Sequence, residues 1–370
     1  MVYSSRRDLE QLCSGVFTGL GLPRQEAEDS AKILVSADAR GIRSHGVARI
    51  KRYVDGIRAG HIRGGIRPTV LRETPVSLVL DAEGGMGLSL SKQSMEKVID
   101  MAAGHGIGLC SIRNSNHFGI AGYYAEIAAR RDMIGIAMTN TAALGVPTFA
   151  REAMFGTNPI AFAVPGMGKD LFSLDMATTT VTRGKIEVAA REGKPIPPGW
   201  AVGPDGLATV DAARLLEDML YKRGGGLLPL GGEGSAGAGY KGYGLAVMVD
   251  ILCAVSSGGV FGGAVMDSEM TSARVCHFFM ALRIDLFRDP EDFKRDISRM
   301  LGELRSLKPA EGARRVYYAG LLEQEAQARC EHEGVPLTDE VWKTLSETAA
   351  ALGVPVPPPL AVKDSSVGQV

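Results

Sequence analysis

The stretch Gly108-Leu109-Cys110-Ser111-Ile112-Arg113-Asn114-Ser115-Asn116-His117-Phe118-Gly119-Ile120-Ala121 decides how this chain folds. An apolar β-type run at 108–112 breaks into a polar turn, after which Ala121, Ala125 and Ala128 recur at helical spacing as far as Arg130. Strand, turn and helix in that order is the repeating unit of an α/β domain, and turns at strand ends are where such domains collect ligands. Polar side chains crowded into one turn cost free energy unless solvated or bonded. A well-capped turn meets that need as readily as a binding site does.

Working outward, the same texture runs from about residue 75 to 285. β-type runs stand at 76–80, 134–138, 160–164 and 171–174, a second helical stretch at 91–103, and turn-forming sequence at 194–200 and 204–206. On the N-terminal side, Leu9, Leu12, Cys13, Val16, Phe17 and Leu20 mark one helix and residues 26–39 a second. A third is expected with Ser44 as its N-cap and Val47, Ile50, Val54 and Ile57 as its stripe. Beyond 285, helices are expected at 290–307, 321–332 and, capped by Thr338, up to Leu352. The expected organisation is an N-terminal helical domain (1–74), an α/β domain (75–285), C-terminal helices packing with the N-terminal domain (286–354) and a tail (355–370).

A length of 370 residues favours two or three domains, and 45% hydrophobic with 22% charged residues is a globular balance. The 41 Lys and Arg offset 42 Asp and Glu, so no field draws the chain to nucleic acid or an anionic membrane. Five scattered cysteines without a C-x-x-C pair suggest neither a disulfide framework nor a zinc ribbon. No signal-peptide core opens the chain, and Asp250 interrupts its most apolar stretch, so a cytoplasmic setting is expected. The six histidines lack metal-ligand spacing, and no bound metal is expected.

Gly232-x-Gly234-x-x-Gly237 matches the dinucleotide fingerprint literally, yet it follows the proline-broken run 227–230, and no acidic residue stands at the right distance in a βαβ unit. A flexible glycine loop fits better, with Lys241 and Gly242 able to approach a phosphate through a charge and backbone amides. Ser89-x-x-Lys92 lacks the companion motifs of a serine hydrolase. Ser44-His45-Gly46-x-x-Arg49 carries more chemistry. If Ser44 caps a helix, His45 lies in its first turn with Arg49 on the same face, a carboxylate fork beside a group that titrates near neutrality. On spacing alone, a surface imidazole and a surface arginine at a helix start are the commoner outcome. Residues 139–141, 156–159 and 175–178 each put small hydrogen-bonding side chains after an apolar run, and together they suggest one lined cleft.

The stretches 37–49 (ADARGIRSHGVAR), 114–124 (NSNHFGIAGYY), 138–141, 155–165 (FGTNPIAFAVP), 175–179 with Arg183-Gly184-Lys185, 196–206 (IPPGWAVGPDG) and 240–252 (YKGYGLAVMVDIL) resemble, in order, the malate/L-lactate dehydrogenase family that lacks a Rossmann fold. That family includes ureidoglycolate and sulfolactate dehydrogenases and a piperideine-carboxylate reductase. The resemblance implies an α/β fold whose non-Rossmann NAD(P)-binding domain has a mixed sheet, flanked by a helical domain built from both chain ends. It also implies an NAD- or NADP-dependent homodimer acting at C2 of a small 2-oxo or 2-hydroxy acid. His45 would move the proton with Ser44 as its neighbour, Arg49 would hold the carboxylate, and His117 is the rival acid/base. Cofactor contacts would come from His117, Phe118, Gly119, Ala121, Thr141, Thr157, Asp175, Met176, Ala177, Lys241 and Gly242. Reduction of a cyclic imino acid and a catalytically silent binding role are the alternatives.

Three departures bear on the transfer. Tyr240 replaces a family histidine, residues 207–226 carry a charged helix-like insert, and Ala319-Gly320-Leu321 replaces Pro-Gly-Glu. If that glutamate contacts the cofactor, its loss alters affinity or the choice between NAD and NADP.

Overall fold

The structure, a computed structural model, describes residues 1–234, 237–265 and 272–360. The described residues form two compact units, one of residues 1–65 with 321–360, the other within residues 66–320. Strands and helices are numbered here in chain order.

The first unit holds β1 (Val2–Ser4), α1 (Arg6–Gly19), α2 (Arg24–Ala39), α3 (Ile50–Arg58), α10 (Leu321–Glu333), β11 (Val335–Leu337) and α11 (Asp339–Ala351). Antiparallel pairing of β1 with β11 sets Tyr3 opposite Pro336 and so joins the two ends of the chain. Ser5 opens α1 by accepting the Asp8 amide at 3.0 Å, and the helix buries Leu9, Leu12, Cys13, Val16 and Phe17 along one face. Thr338 caps α11 as expected, accepting the Val341 amide at 3.2 Å.

The second unit is built on a seven-stranded sheet of order β2-β3-β4-β10-β5-β6-β7. Its strands are β2 (Thr69–Glu73), β3 (Ser77–Asp81), β4 (Ile107–Ser115), β5 (Met133–Thr139), β6 (Ile160–Pro165), β7 (Leu171–Met176) and β10 (Val275–Arg283). Of these pairings only β3 with β4 is parallel, so the sheet is mixed, as expected, and not doubly wound. The connections include α4 (Gly87–His105), α5 (Ala121–Ala129) and α8 (Gly239–Asp250), which runs on into a wider π-type turn at residues 251–255.

The central strand β10 separates two layers. Cys276 and Phe278 face α8 with Met138, Val249, Cys253 and Ala254. Alternation turns His277 and Phe279 to the opposite face, where Tyr124 of α5 meets Phe279 edge-on at 5.6 Å.

A satellite of α6 (Arg183–Arg191), β8 (Ala201–Val202), α7 (Ala212–Leu220) and β9 (Gly226–Leu227) packs its own small core around Ile186, Ile196, Leu215 and Leu227. The insert at 207–226 thus supplies α7, capped by Asp211 through the Arg214 amide at 2.9 Å. The helix α9 (Pro290–Ser306) was expected among the terminal helices. It packs on β7 and belongs to the sheet unit. Asp289 starts it abruptly by accepting the Glu291 and Asp292 amides, so the turn after β10 leads straight back onto the sheet. Eleven α-helices stand among the described residues, and none is long and apolar enough to cross a membrane.

Candidate active site

In the first unit Ser44 does not cap a helix. Arg43–His45 and Val47–Arg49 form two short 3-10 turns meeting at Gly46, and α3 begins only at Ile50. The cause is Asp38, near the end of α2. Its buried carboxylate accepts the Val47 amide at 2.6 Å, and the chain presses so close that a Cβ at position 46 would lie 2.2–2.4 Å from the carboxylate atoms. The backbone therefore wraps around a carboxylate where local sequence favours a helix start.

This corrects the anion-binding argument drawn from a helix N-terminus. The amide of His45 is spent on Ile42 O at 3.1 Å and that of Arg49 on Gly46 O at 2.9 Å. The turn presents side chains instead. Ser44 Oγ lies 2.9 Å from His45 Nδ1, and Arg49 Nε donates to Ser44 O at 2.7 Å. Arg49 is thus folded back over the same turn that holds the imidazole, although the expected helical face does not exist. Burial, reinforced by the charges of Arg49 and Arg52, pushes the His45 imidazole down to about 4, so it is neutral at physiological pH. Asp38 moves the other way. Burial raises it to about 7, against the opposing pull of the Val47 amide and of Arg43.

In the second unit the expected residues line the ends of neighbouring strands. Asn114 donates to Asp81, and Asn116 donates to Gly84 O and Gly85 O at 2.9 and 3.0 Å, so both asparagines fasten the turn after β4 to the loop after β3. His117 is half-buried, and its Nδ1 accepts the Gly119 amide at 3.3 Å. Phe118 is buried and Ala121 opens α5. Asp175, at the end of β7 and exposed, accepts the Gly122 amide at 2.7 Å. That bond brings the 117–121 turn and the 175–177 segment to one place.

A line of hydrogen bonds gathers the rest. The Thr157 amide donates to Thr141 Oγ1 at 3.0 Å, the Thr178 amide to Thr157 O at 2.8 Å, the Leu230 amide to Thr178 O at 2.8 Å and the Gly242 amide to Leu230 O at 3.1 Å. Thr141, Thr157, Met176 and Ala177 are half-buried, which leaves small polar and apolar side chains partly open along this rim. A rim of that kind fits a dinucleotide, which needs hydroxyl and carboxylate partners beside an apolar floor. One expectation fails here. The amides of Lys241 and Gly242 are spent on Ala238 O and Leu230 O, so only the Lys241 ammonium could meet a phosphate.

Two residues were not singled out from sequence. Asp38 left a faint signal, an acid inside an otherwise buried helix face. His277 left less, a lone histidine in an apolar run.

The family model described as malate/L-lactate dehydrogenase matches residues 4–346. Malate dehydrogenase of Pyrococcus abyssi is 44% identical over 342 residues, covering 92% of each chain. L-sulfolactate dehydrogenase of Methanocaldococcus jannaschii is 36% identical over 348 residues, covering 93% of this chain and 96% of its own. The crystal structure of malate dehydrogenase from Entamoeba histolytica superposes with a TM-score of 0.92 at 31% identity, covering 96% of this chain and 99% of the other. With the mixed sheet and the Ser44–Arg49 turn already in view, these likenesses over nearly the whole length make the chain a member of the malate/L-lactate dehydrogenase family and an oxidoreductase.

Proposed function

We propose that the chain is an NAD- or NADP-dependent dehydrogenase of a small 2-hydroxy acid, in which His45 moves the proton and Arg49 holds the carboxylate. One observation carries this reading: a neutral imidazole and a guanidinium are tied to the same residue, Ser44, by bonds of 2.9 and 2.7 Å. The nicotinamide, when bound, supplies the hydride acceptor or donor at its C4. As the hydroxyl proton passes to His45, the C2–H bond breaks as hydride and C2 becomes a carbonyl. Ser44 Oγ against Nδ1 fixes the orientation in which the ring takes the proton.

Arg49 and Arg52 both disfavour the imidazolium. An anionic substrate on Arg49 removes part of that repulsion and raises the His45 pKa toward neutrality. Oxo-acid reduction then becomes possible in the bound complex, where proton donation is needed. That relatives are a malate and an L-sulfolactate dehydrogenase supports a substrate carrying a carboxylate. The proposal extends to a homodimer in the cytoplasm.

The test follows NAD(P)H absorbance with malate, lactate, sulfolactate and a cyclic imino acid, in wild type and in His45→Ala. Turnover on a hydroxy acid should fall at least about a hundredfold in the variant, with NAD(P)H binding retained by fluorescence titration. Near-normal turnover of His45→Ala would move the proton role to His117, whose Ala variant is measured in parallel.

A further inference from the structure

His277 has no part in the mechanism above, yet its ring is fully buried with both nitrogens bonded. Nδ1 lies 2.8 Å from Thr139 Oγ1 and Nε2 lies 2.9 Å from Ser115 Oγ. Thr139 Oγ1 also lies within hydrogen-bond reach of Asn140 O at 2.9 Å and Cys276 O at 3.1 Å. A hydroxyl both donates and accepts, so Thr139 and Ser115 together satisfy a neutral imidazole at both ends. Burial holds the group at about 3, against the opposing pull of the Asn116 backbone.

The flat of the ring lies against Phe118, with centroids 4.6 Å apart and planes within 4°. Phe118 in turn stacks on Tyr124 at 5.0 Å. Pairing of β10 with β4 slips between Val275 and His277, whereas pairing with β5 sets His277 directly opposite Thr139. The irregularity lets one side chain reach the last residue of both neighbouring strands. Ser115 stands two residues before His117, and Thr139 two residues before Thr141. A single ring therefore sets the spacing of the two strand ends that lead into the proposed cofactor rim.

We propose that His277 is a positioning residue which, as a neutral ring bonded to Ser115 and Thr139 and stacked on Phe118, holds the His117–Gly119 turn in its working conformation. The consequence for binding rests on the reading of that turn as a cofactor contact. The positioning itself does not.

The test uses His277→Phe, which keeps a ring for the stack and deletes both hydrogen bonds, with Ser115→Ala and the double variant. Two readouts are taken on the full chain, amide hydrogen exchange at residues 115–121 with β6 as internal reference, and the Kd for NADH and NADPH. In His277→Phe, exchange at 115–121 should rise about tenfold relative to β6, and the Kd should rise by a similar factor, as for loss of buried hydrogen bonds. Ser115→Ala should shift both readouts in the same direction by less, and the double variant should match His277→Phe, because the hydroxyl acts through the ring. Exchange at 115–121 that only tracks β6, or effects that multiply in the double variant, would overturn the proposal. Should His277→Phe not fold, unchanged exchange at 115–121 in Ser115→Ala overturns it alone. If the wild type binds neither NADH nor NADPH, the cofactor reading fails while the exchange result still decides the positioning.

Discussion

Gly46 and Asp38 are matched at the scale of single residues: the glycine exists so that a buried carboxylate can reach the Val47 amide. Gly46→Ala drives a methyl group into that carboxylate, and overpacking of this kind costs about 1–3 kcal/mol. The expected outcome is a lowered unfolding midpoint together with lost turnover, since the turn that moves is the one carrying His45. Differential scanning calorimetry and steady-state rates check the two effects. Arg49 makes a separate prediction. Lysine keeps the charge but lacks Nε and the planar fork, so Arg49→Lys should raise KM for the acid about tenfold or more while the cofactor Kd stays put. An unchanged KM would remove Arg49 from substrate recognition. Residue types made Ser44, His45 and Arg49 candidates, and the family resemblance rather than their spacing favoured them. The way they meet was not legible, because a carboxylate on the preceding helix overrides the local preference for an N-cap.

Among the elements, those with a strong period or a capping residue were readable in advance. The apolar stripe of α1 and the Thr338 cap of α11 stand where expected, and the strand-turn-helix of β4 and α5 is present. Two strands of the seven-stranded sheet escaped. β10 is apolar on both faces because helices cover both, so it shows no alternation, and the exposed edge strand β2 offers no buried face to read. The ladder from Thr141 to Gly242 is likewise invisible locally, since each rung joins segments far apart in sequence. It predicts that Gly242→Ala, whose methyl would lie 2.4 Å from Leu230 N and O, displaces the turn at Leu230 and weakens NAD(P)H binding about tenfold. Fluorescence titration measures this, and normal binding would show that α8 can shift without disturbing the rim.

For the whole molecule, titratable groups withdrawn from water shape stability against pH. His45 and His277 titrate at about 4 and about 3 when folded, below the ordinary histidine value of 6.5. Their contribution is complete above 6.5. It erodes as pH falls through 4 and 3, because the unfolded chain takes up protons that the folded chain refuses. Asp38, raised to about 7, has the opposite sign, and its folded form binds a proton the unfolded chain releases between 3.8 and 7. Asp250, also raised by burial, acts in the same sense as Asp38. Between about pH 7 and about pH 4.5 the urea midpoint of His277→Asn should therefore fall less, or rise more, than that of wild type, and that of Asp38→Asn should do the reverse. A pH profile unaffected by either variant would refute the assignment.

By itself the sequence determined the helical stripes, the caps and the succession of strand, turn and helix, because those depend on neighbours within a turn or two. It also carried the motifs that resemble the malate/L-lactate dehydrogenase family, and with them the class of chemistry. Only the tertiary structure decided that the turn wraps a buried Asp38, that β10 lies at the centre of a mixed sheet, and that His277 is a neutral pin. The physical reason is one of range. His277 finds Ser115 across 162 residues of chain, and a polar group satisfied from so far away leaves no local pattern to read.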